Sequence, residues 1–136
     1  MSAATQKRMT ADEFLAWAME QPEGSRYELF AGQVIALSPE RAMHGSVKAN
    51  VAYSMMSAIR TNKLPCRAYI DRISVSANAN TVYEPDIVVR YGDRLDGDAI
   101  EVTDPLIIVE VVSPPSVRRD TDIKLADYLH IPSIRR

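Results

Sequence analysis

Two short apolar runs decide the fold: Pro85-Asp-Ile-Val-Val89 and Pro105-Leu-Ile-Ile-Val-Glu-Val-Val112. Their nearly continuous β-branched residues suit strands covered on both faces, hence the centre of a sheet with helices packed on it. Each run carries a carboxylate where none is expected. Glu110 lies between Leu-Ile-Ile-Val and Val-Val, and an ionised, unpaired carboxylate in such a strand costs several kcal/mol. A cation from elsewhere in the chain, protonation, or a bound metal ion would offset that cost; the plain alternative is a strand-end glutamate that reaches solvent or an arginine. Asp86 presents the same anomaly in the preceding run. Two carboxylates converging from adjacent strands repel unless a divalent cation lies between them, and oxygen ligands favour Mg²⁺ or Mn²⁺. Without Glu110, Asp86 reads equally well as a turn residue at a strand entry.

Working outward, Thr10-Ala-Asp-Glu13 has capping-box spacing with Met9 and Phe14 at the staple positions, which predicts a helix from about Ala11 to Glu20. Arg26 to Leu37 reads as a hairpin around Ala31-Gly32. Met43 to Arg60 is the long helix, with a stripe of Val47, Val51, Met55, Ala58 and Ile59 and with Lys48, Asn50 and Arg60 off it. Arg67 to Ser76 follows as a strand, and Asn78-Ala-Asn80 as a turn. After the turn-forming Ser113-Pro-Pro-Ser116, a last helix runs from about Arg118 to His130 with Leu125, Ala126 and Leu129 on its buried face. Asp120, Lys124 and Tyr128 share the opposite face; Asp120 and Lys124 there are either a surface ion pair or an ammonium brought to the site.

The 136 residues, 46% hydrophobic and 25% charged, fit one globular domain. No apolar run is long enough to span a bilayer, since the longest, near Leu106 to Val112, is broken by Glu110. The start, MSAATQKRMTADEF, has no apolar stretch after its basic residues, and the single Cys66 cannot close an internal disulfide. Both agree with a cytoplasmic location. With a net charge of -2, the field of the whole molecule does not attract a polyanion, so nucleic-acid binding must be local or metal-assisted.

The ordered set Glu84-Pro-Asp86, Val109-Glu-Val-Val-Ser-Pro114, then Asp120, Lys124 and Tyr128, together with Arg26-Tyr-Glu-Leu29 and His44, resembles the Uma2-type (DUF820) family, a branch of the PD-(D/E)xK nucleases. The resemblance spans nearly the whole chain and implies one restriction-endonuclease-like α/β domain over residues 1–136, a mixed sheet flanked by helices. It implies that Asp86 and Glu110 are the acidic metal ligands, with the Val111 carbonyl as a further contact, and that the cofactor is Mg²⁺ or Mn²⁺. The lysine usual two positions after Glu110 is replaced by Val112, and Lys124 matches the helix position that substitutes for it. The implied catalytic set is therefore Asp86, Glu110 and Lys124, with Glu28, His44, Asp120 and Tyr128 as accessory or phosphate-contacting candidates. Glu28 is otherwise a solvated hairpin glutamate, and His44 with Lys48 four residues on could touch a phosphate.

Three features depart from this pattern. The loop Gly92 to Asp104 carries Asp93, Asp96, Asp98, Glu101 and Asp104 against one basic residue, Arg94. Gln33 stands where the family tends to have an acid, and the sequence stops at Ile134-Arg-Arg136, where relatives continue into another strand. The expected function is a Mg²⁺-dependent endonuclease acting on nucleic acid, DNA foremost, and suited to a homodimer because two strand cuts need two sites. The alternatives are a catalytically inactive nuclease-fold module binding nucleic acid or protein, and a hydrolase of small phosphate esters.

Overall fold

The computed structural model describes residues 7–112 and 118–135, with side chains described for all of these except 118–120. The Ser113–Ser116 turn and the Asp120 side chain lie outside the described residues.

Helix α1 (Ala11–Met19) starts at the expected capping box: Thr10 Oγ1 accepts the Glu13 N–H, and the Glu13 carboxylate accepts the Thr10 N–H, each at 3.2 Å. Its inner face buries Ala11, Phe14 and Leu15 against Leu29 and Val82. The hairpin of β1 (Tyr27–Phe30) and β2 (Gln33–Ala36) turns on Ala31 and Gly32, with φ of 49° and 84°. Two consecutive positive φ values make the tight turn whose twist matches an antiparallel pair. Gly32 is required twice over, because a Cβ there would also come within 3.1 Å of the Arg8 Cβ.

Helix α2 (Ala42–Thr61) occupies the expected span, but its inner stripe is rotated. Lys48 and Ala52 are buried, whereas Val47 is 43% exposed. The cause is electrostatic: carboxylates at the end of the sheet face this side of the helix and draw the Lys48 ammonium inward.

The expected single strand from Arg67 to Ser76 is two. β3 (Cys66–Ile70) and β4 (Val75–Asn78) are separated at Asp71 and Arg72, whose φ values of 60° and 51° break extended backbone. The Asn78–Asn80 turn stands, closed by the Asn80 N–H on Asn78 Oδ1 at 2.9 Å. It leads into β5 (Thr81–Tyr83), a strand too short to show an alternation in sequence. β6 (Ile87–Tyr91) and β7 (Pro105–Val109) are the two apolar runs.

The strands form two sheets, ordered β2-β1-β5-β4 and β3-β6-β7, with α1, α2 and α3 (Arg118–Leu129) around them. The α/β architecture is as expected. Every ladder between named strands is antiparallel, and among the described residues parallel pairing is confined to the isolated bridge Ser74↔Glu101. β6 is central as read, with Ile87, Val88 and Val89 all buried. β7 is an edge strand among the described residues, and its Ile107 is 40% exposed.

The buried face of α3 is the reverse of the expected one. Leu125 is 56% exposed, whereas Tyr128 is buried in the cluster of Ile73, Val75, Tyr83, Val88 and Val102. The Tyr128 ring meets Tyr83 edge-on at 5.3 Å. That aromatic area, with the two carboxylates waiting for Lys124, outweighs what two leucines would gain by facing in. Among the described residues no helix is long and apolar enough to cross a membrane.

Candidate functional site

Asp86 directly precedes β6, behind the fully buried Pro85, and its side chain is 7% exposed. Its carbonyl accepts the Asp71 N–H at 3.0 Å, which ties the start of β6 to the β3–β4 turn. Its Oδ2 accepts the Val111 N–H at 2.6 Å, which ties it to the chain leaving β7. The last ladder pair is Ile87↔Val109, so Asp86 and Glu110 each stand one step beyond it, at the same end of the sheet.

Helix α2 closes over this end. His44 Nε2 lies 2.9 Å from the Val111 carbonyl oxygen and 3.5 Å from Asp86 Oδ2, while Nδ1 contacts Glu40. One turn on, Lys48 Nζ reaches Glu40 Oε1 at 2.5 Å, Asp71 Oδ1 at 2.8 Å and Asp86 Oδ1 at 3.2 Å. Asp71 also faces Arg26, whose Nε pairs with Glu84 at 2.9 Å. The Lys48 ammonium is raised well above its usual pKa: burial opposes the charge, but hydrogen bonds to Asp71, Glu40 and Asp86 outweigh it.

Glu110 belongs to an adjoining cluster. Its Oε1 accepts the Tyr128 hydroxyl at 2.6 Å and lies 3.4 Å from Lys124 Nζ. Lys124 is held from the other side by Glu28 at 3.0 Å and stands 5.0 Å over the Tyr83 ring. Glu28, an accessory candidate that otherwise reads as solvated, is 6% exposed and accepts the Glu84 N–H at 2.8 Å. Burial pushes the Glu110 carboxyl above its usual pKa; Lys124 and Tyr128 pull it back in part, and the charges of Glu28 and Asp86 add to the rise. Burial also works against the Lys124 charge, but Glu110 and Glu28 reverse this and raise it. A cavity of about 650 Å³ opens onto the cluster, floored by Glu110, Lys124 and Tyr128 and walled by Phe30, Ile35 and Ile108.

Asp86, the Val111 carbonyl and His44 are thus brought to one point, and Glu110, Lys124, Tyr128 and Glu28 to a second beside it. His44 and Lys48 turn toward carboxylates rather than outward to a phosphate. Sequence reading offers Lys48 only as a phosphate contact and does not single out Glu40 or Asp71. The spacing His44, Lys48, Ala52 offered a signal, a four-residue stripe that makes Lys48 an inward residue if His44 is one. Asp71, inside a stretch that reads as one strand, shares its alternation with Ile73 and Val75, an acid on the apolar face.

The donor set suits a divalent cation. Glu40, His44 and Asp86 each present a ligand atom, all within 4.8 Å of one another. Ligands of one Mg²⁺ at about 2.1 Å stand about 3.0 Å apart when adjacent and at most about 4.2 Å apart when opposite, so holding one ion draws the three donors closer together.

The end of the sheet in this α/β fold thus gathers carboxylates, an imidazole and lysines. The family model described as "Uma2: Putative restriction endonuclease" matches residues 11–136, and the chain belongs to that family. Among solved structures it resembles a protein described as a putative nuclease belonging to DUF820 from Anabaena variabilis. The TM-score is 0.68 at 20% identity, over 90% of this chain and 69% of that one. No curated protein matches the chain in sequence.

The Glu110 environment makes a pH prediction for the metal-free protein. Its folded pKa lies above the unfolded value near 4.5, so between the two the folded state holds a proton that the unfolded state has released. Stability from this group is therefore greatest below pH 4.5 and is lost as pH rises through the folded pKa. Glu110→Gln, which fixes the neutral form, is expected to unfold at a higher temperature than the parent at pH 7, the gap closing toward pH 4. Thermal melts across that range check it; a Glu110→Gln protein less stable at pH 7 contradicts it.

Proposed function

We propose that the chain is a Mg²⁺- or Mn²⁺-dependent endonuclease that hydrolyses phosphodiester bonds in DNA, as a cytoplasmic, restriction-endonuclease-like domain suited to dimerisation. The observation that carries this is the meeting of Asp86, His44 and the Val111 carbonyl at one point, with Glu110 next in the chain and Lys124 on it. Asp86, Glu110 and the Val111 carbonyl are the proposed metal ligands, and His44 and Glu40 are added to them by their position. A divalent ion there supplies polarisation of a phosphate oxygen and activation of water.

The remaining roles belong to side chains. Lys124 is placed to neutralise charge that builds up on the phosphate. Glu28 holds that ammonium over the Tyr83 ring, and Tyr128 fixes the Glu110 oxygen by its hydroxyl. Asp120 is kept as an accessory candidate by its place one turn before Lys124.

A second reading, an inactive nuclease-fold module, is favoured by the acidic loop between β6 and β7, where Arg90 is already paired with Asp104. Purified protein with supercoiled plasmid and Mg²⁺ or Mn²⁺ separates the two. The enzyme nicks the plasmid; the inactive module shows neither metal-dependent nicking nor a metal-induced rise in melting temperature. Mononucleotides that compete as well as short oligonucleotides do would instead indicate a small phosphate ester as substrate.

A further inference from the structure

We propose that Lys48 is a built-in counter-cation that occupies the Asp86 side of the metal centre until a divalent ion displaces it. This rests on the metal-dependent reading above and adds a competitor to it. The side chain is 5% exposed, and all three ammonium protons have a carboxylate to go to: Asp71 at 2.8 Å, Glu40 at 2.5 Å and Asp86 at 3.2 Å. Two of those carboxylates, Glu40 and Asp86, also belong to the three-residue group with metal-ligand spacing. The same carboxylates therefore serve either the ammonium or an ion.

Both oxygens of Asp86 are engaged, Oδ1 with Lys48 and Oδ2 with the Val111 N–H. The backbone bond leaves lone-pair space on Oδ2 toward His44, but an ion drawing on Oδ1 or on Glu40 meets a like charge within about 3 Å, a repulsion worth a large change in affinity at the dielectric of a protein edge. Displacement has somewhere to go. Glu40, Asp71 and Arg26 line a second cavity, of about 430 Å³, beside Ser38 and Pro39. The flexible four-carbon stem of Lys48 can swing its head into that space and keep Asp71 as a partner.

An ordinary structural ion pair makes a different prediction. It would lose stability on removal of Lys48 and, in the unaltered protein, keep the ammonium shielded at saturating Mn²⁺. A placeholder loses metal-free stability and binds metal more tightly. In Lys48→Met, isothermal titration with Mn²⁺ is expected to show a dissociation constant lowered about tenfold or more. The metal-free melting temperature falls, and the rise caused by Mn²⁺ is larger than in the parent.

Wild-type protein gives the second measurement, should the variant not fold. Lysine acetylation by acetic anhydride, read by peptide mass spectrometry, is expected to spare Lys48 without metal and to modify it at saturating Mn²⁺. Equal or weaker Mn²⁺ binding by Lys48→Met, or Lys48 protection that persists in Mn²⁺-saturated protein, overturns the placeholder role and leaves the metal centre standing. No Mn²⁺ binding by either protein removes the metal centre itself, and the placeholder with it.

Discussion

Replacing Asp86 by asparagine is expected to reduce metal-dependent plasmid nicking about 100- to 1,000-fold. That is the several kcal/mol a positioned divalent ion contributes to developing charge, at 1.36 kcal/mol per factor of ten. The substitution is chosen so that the fold survives it. An asparagine oxygen still accepts the Val111 N–H, and the Asp71 N–H bonds to the backbone carbonyl of residue 86, which does not change. Lys48 keeps Glu40 and Asp71, while the new amide nitrogen, a donor, takes the place of Oδ1 and pushes the ammonium toward them. The stability cost should stay near the 1.5–3 kcal/mol of a hydrogen bond to a charged group. Alanine is the poorer choice, because it also leaves the Val111 N–H without its acceptor, at a further cost of about 1–3 kcal/mol. The nicking rate and a urea melt of the same preparation check both statements. A rate within threefold of the parent would remove Asp86 from the chemistry.

What could be read in the sequence follows from which forces are local. The Thr10–Glu13 capping box, the Ala31-Gly32 turn and the unbroken β-branched run of β6 are each decided within a few residues, and each stands in the structure. The failures come where a distant partner decides. The inward face of α3 was assigned to leucines by hydrophobicity, yet Lys124 and Tyr128 turn in because Glu28, Glu110 and Tyr83, all far along the chain, await them. Lys48 went the same way, off the apolar stripe by type and inside by charge. The acids Asp86 and Glu110 were legible because each interrupts an apolar run, so the anomaly is visible from neighbours alone. Glu40 sits in polar surroundings, where a carboxylate raises no question, whereas Asp71 lies between Ile70 and Arg72 in a stretch that reads as one strand; only the fold makes the two partners.

Leu29→Ala is expected to lower the unfolding free energy by about 2–5 kcal/mol, from lost transfer energy and the cavity left behind. Leu29 has no exposed surface, packs with Phe14 and Val82, and pairs across the sheet with both Val34 and Val82. Neighbours drawn from a helix and two strands cannot all close on the void, which favours the upper part of that range. Against a typical total of about 5–15 kcal/mol, one side chain then removes a large fraction of stability. A urea titration should show the midpoint falling with the slope unchanged. Metal binding measured well below the new midpoint should hold, because Asp86, His44 and Val111 are carried by the other sheet and by α2. Nicking is expected to suffer more than binding, since β1 also carries Glu28, and a loosened β1 frees the Lys124 ammonium from its place beside Glu110. Leu29→Ala and Asp86→Asn therefore fail in opposite order, the first in stability before metal affinity and the second in metal affinity before stability. A Leu29→Ala protein that lost both together would mean that the two sheets do not hold the site independently.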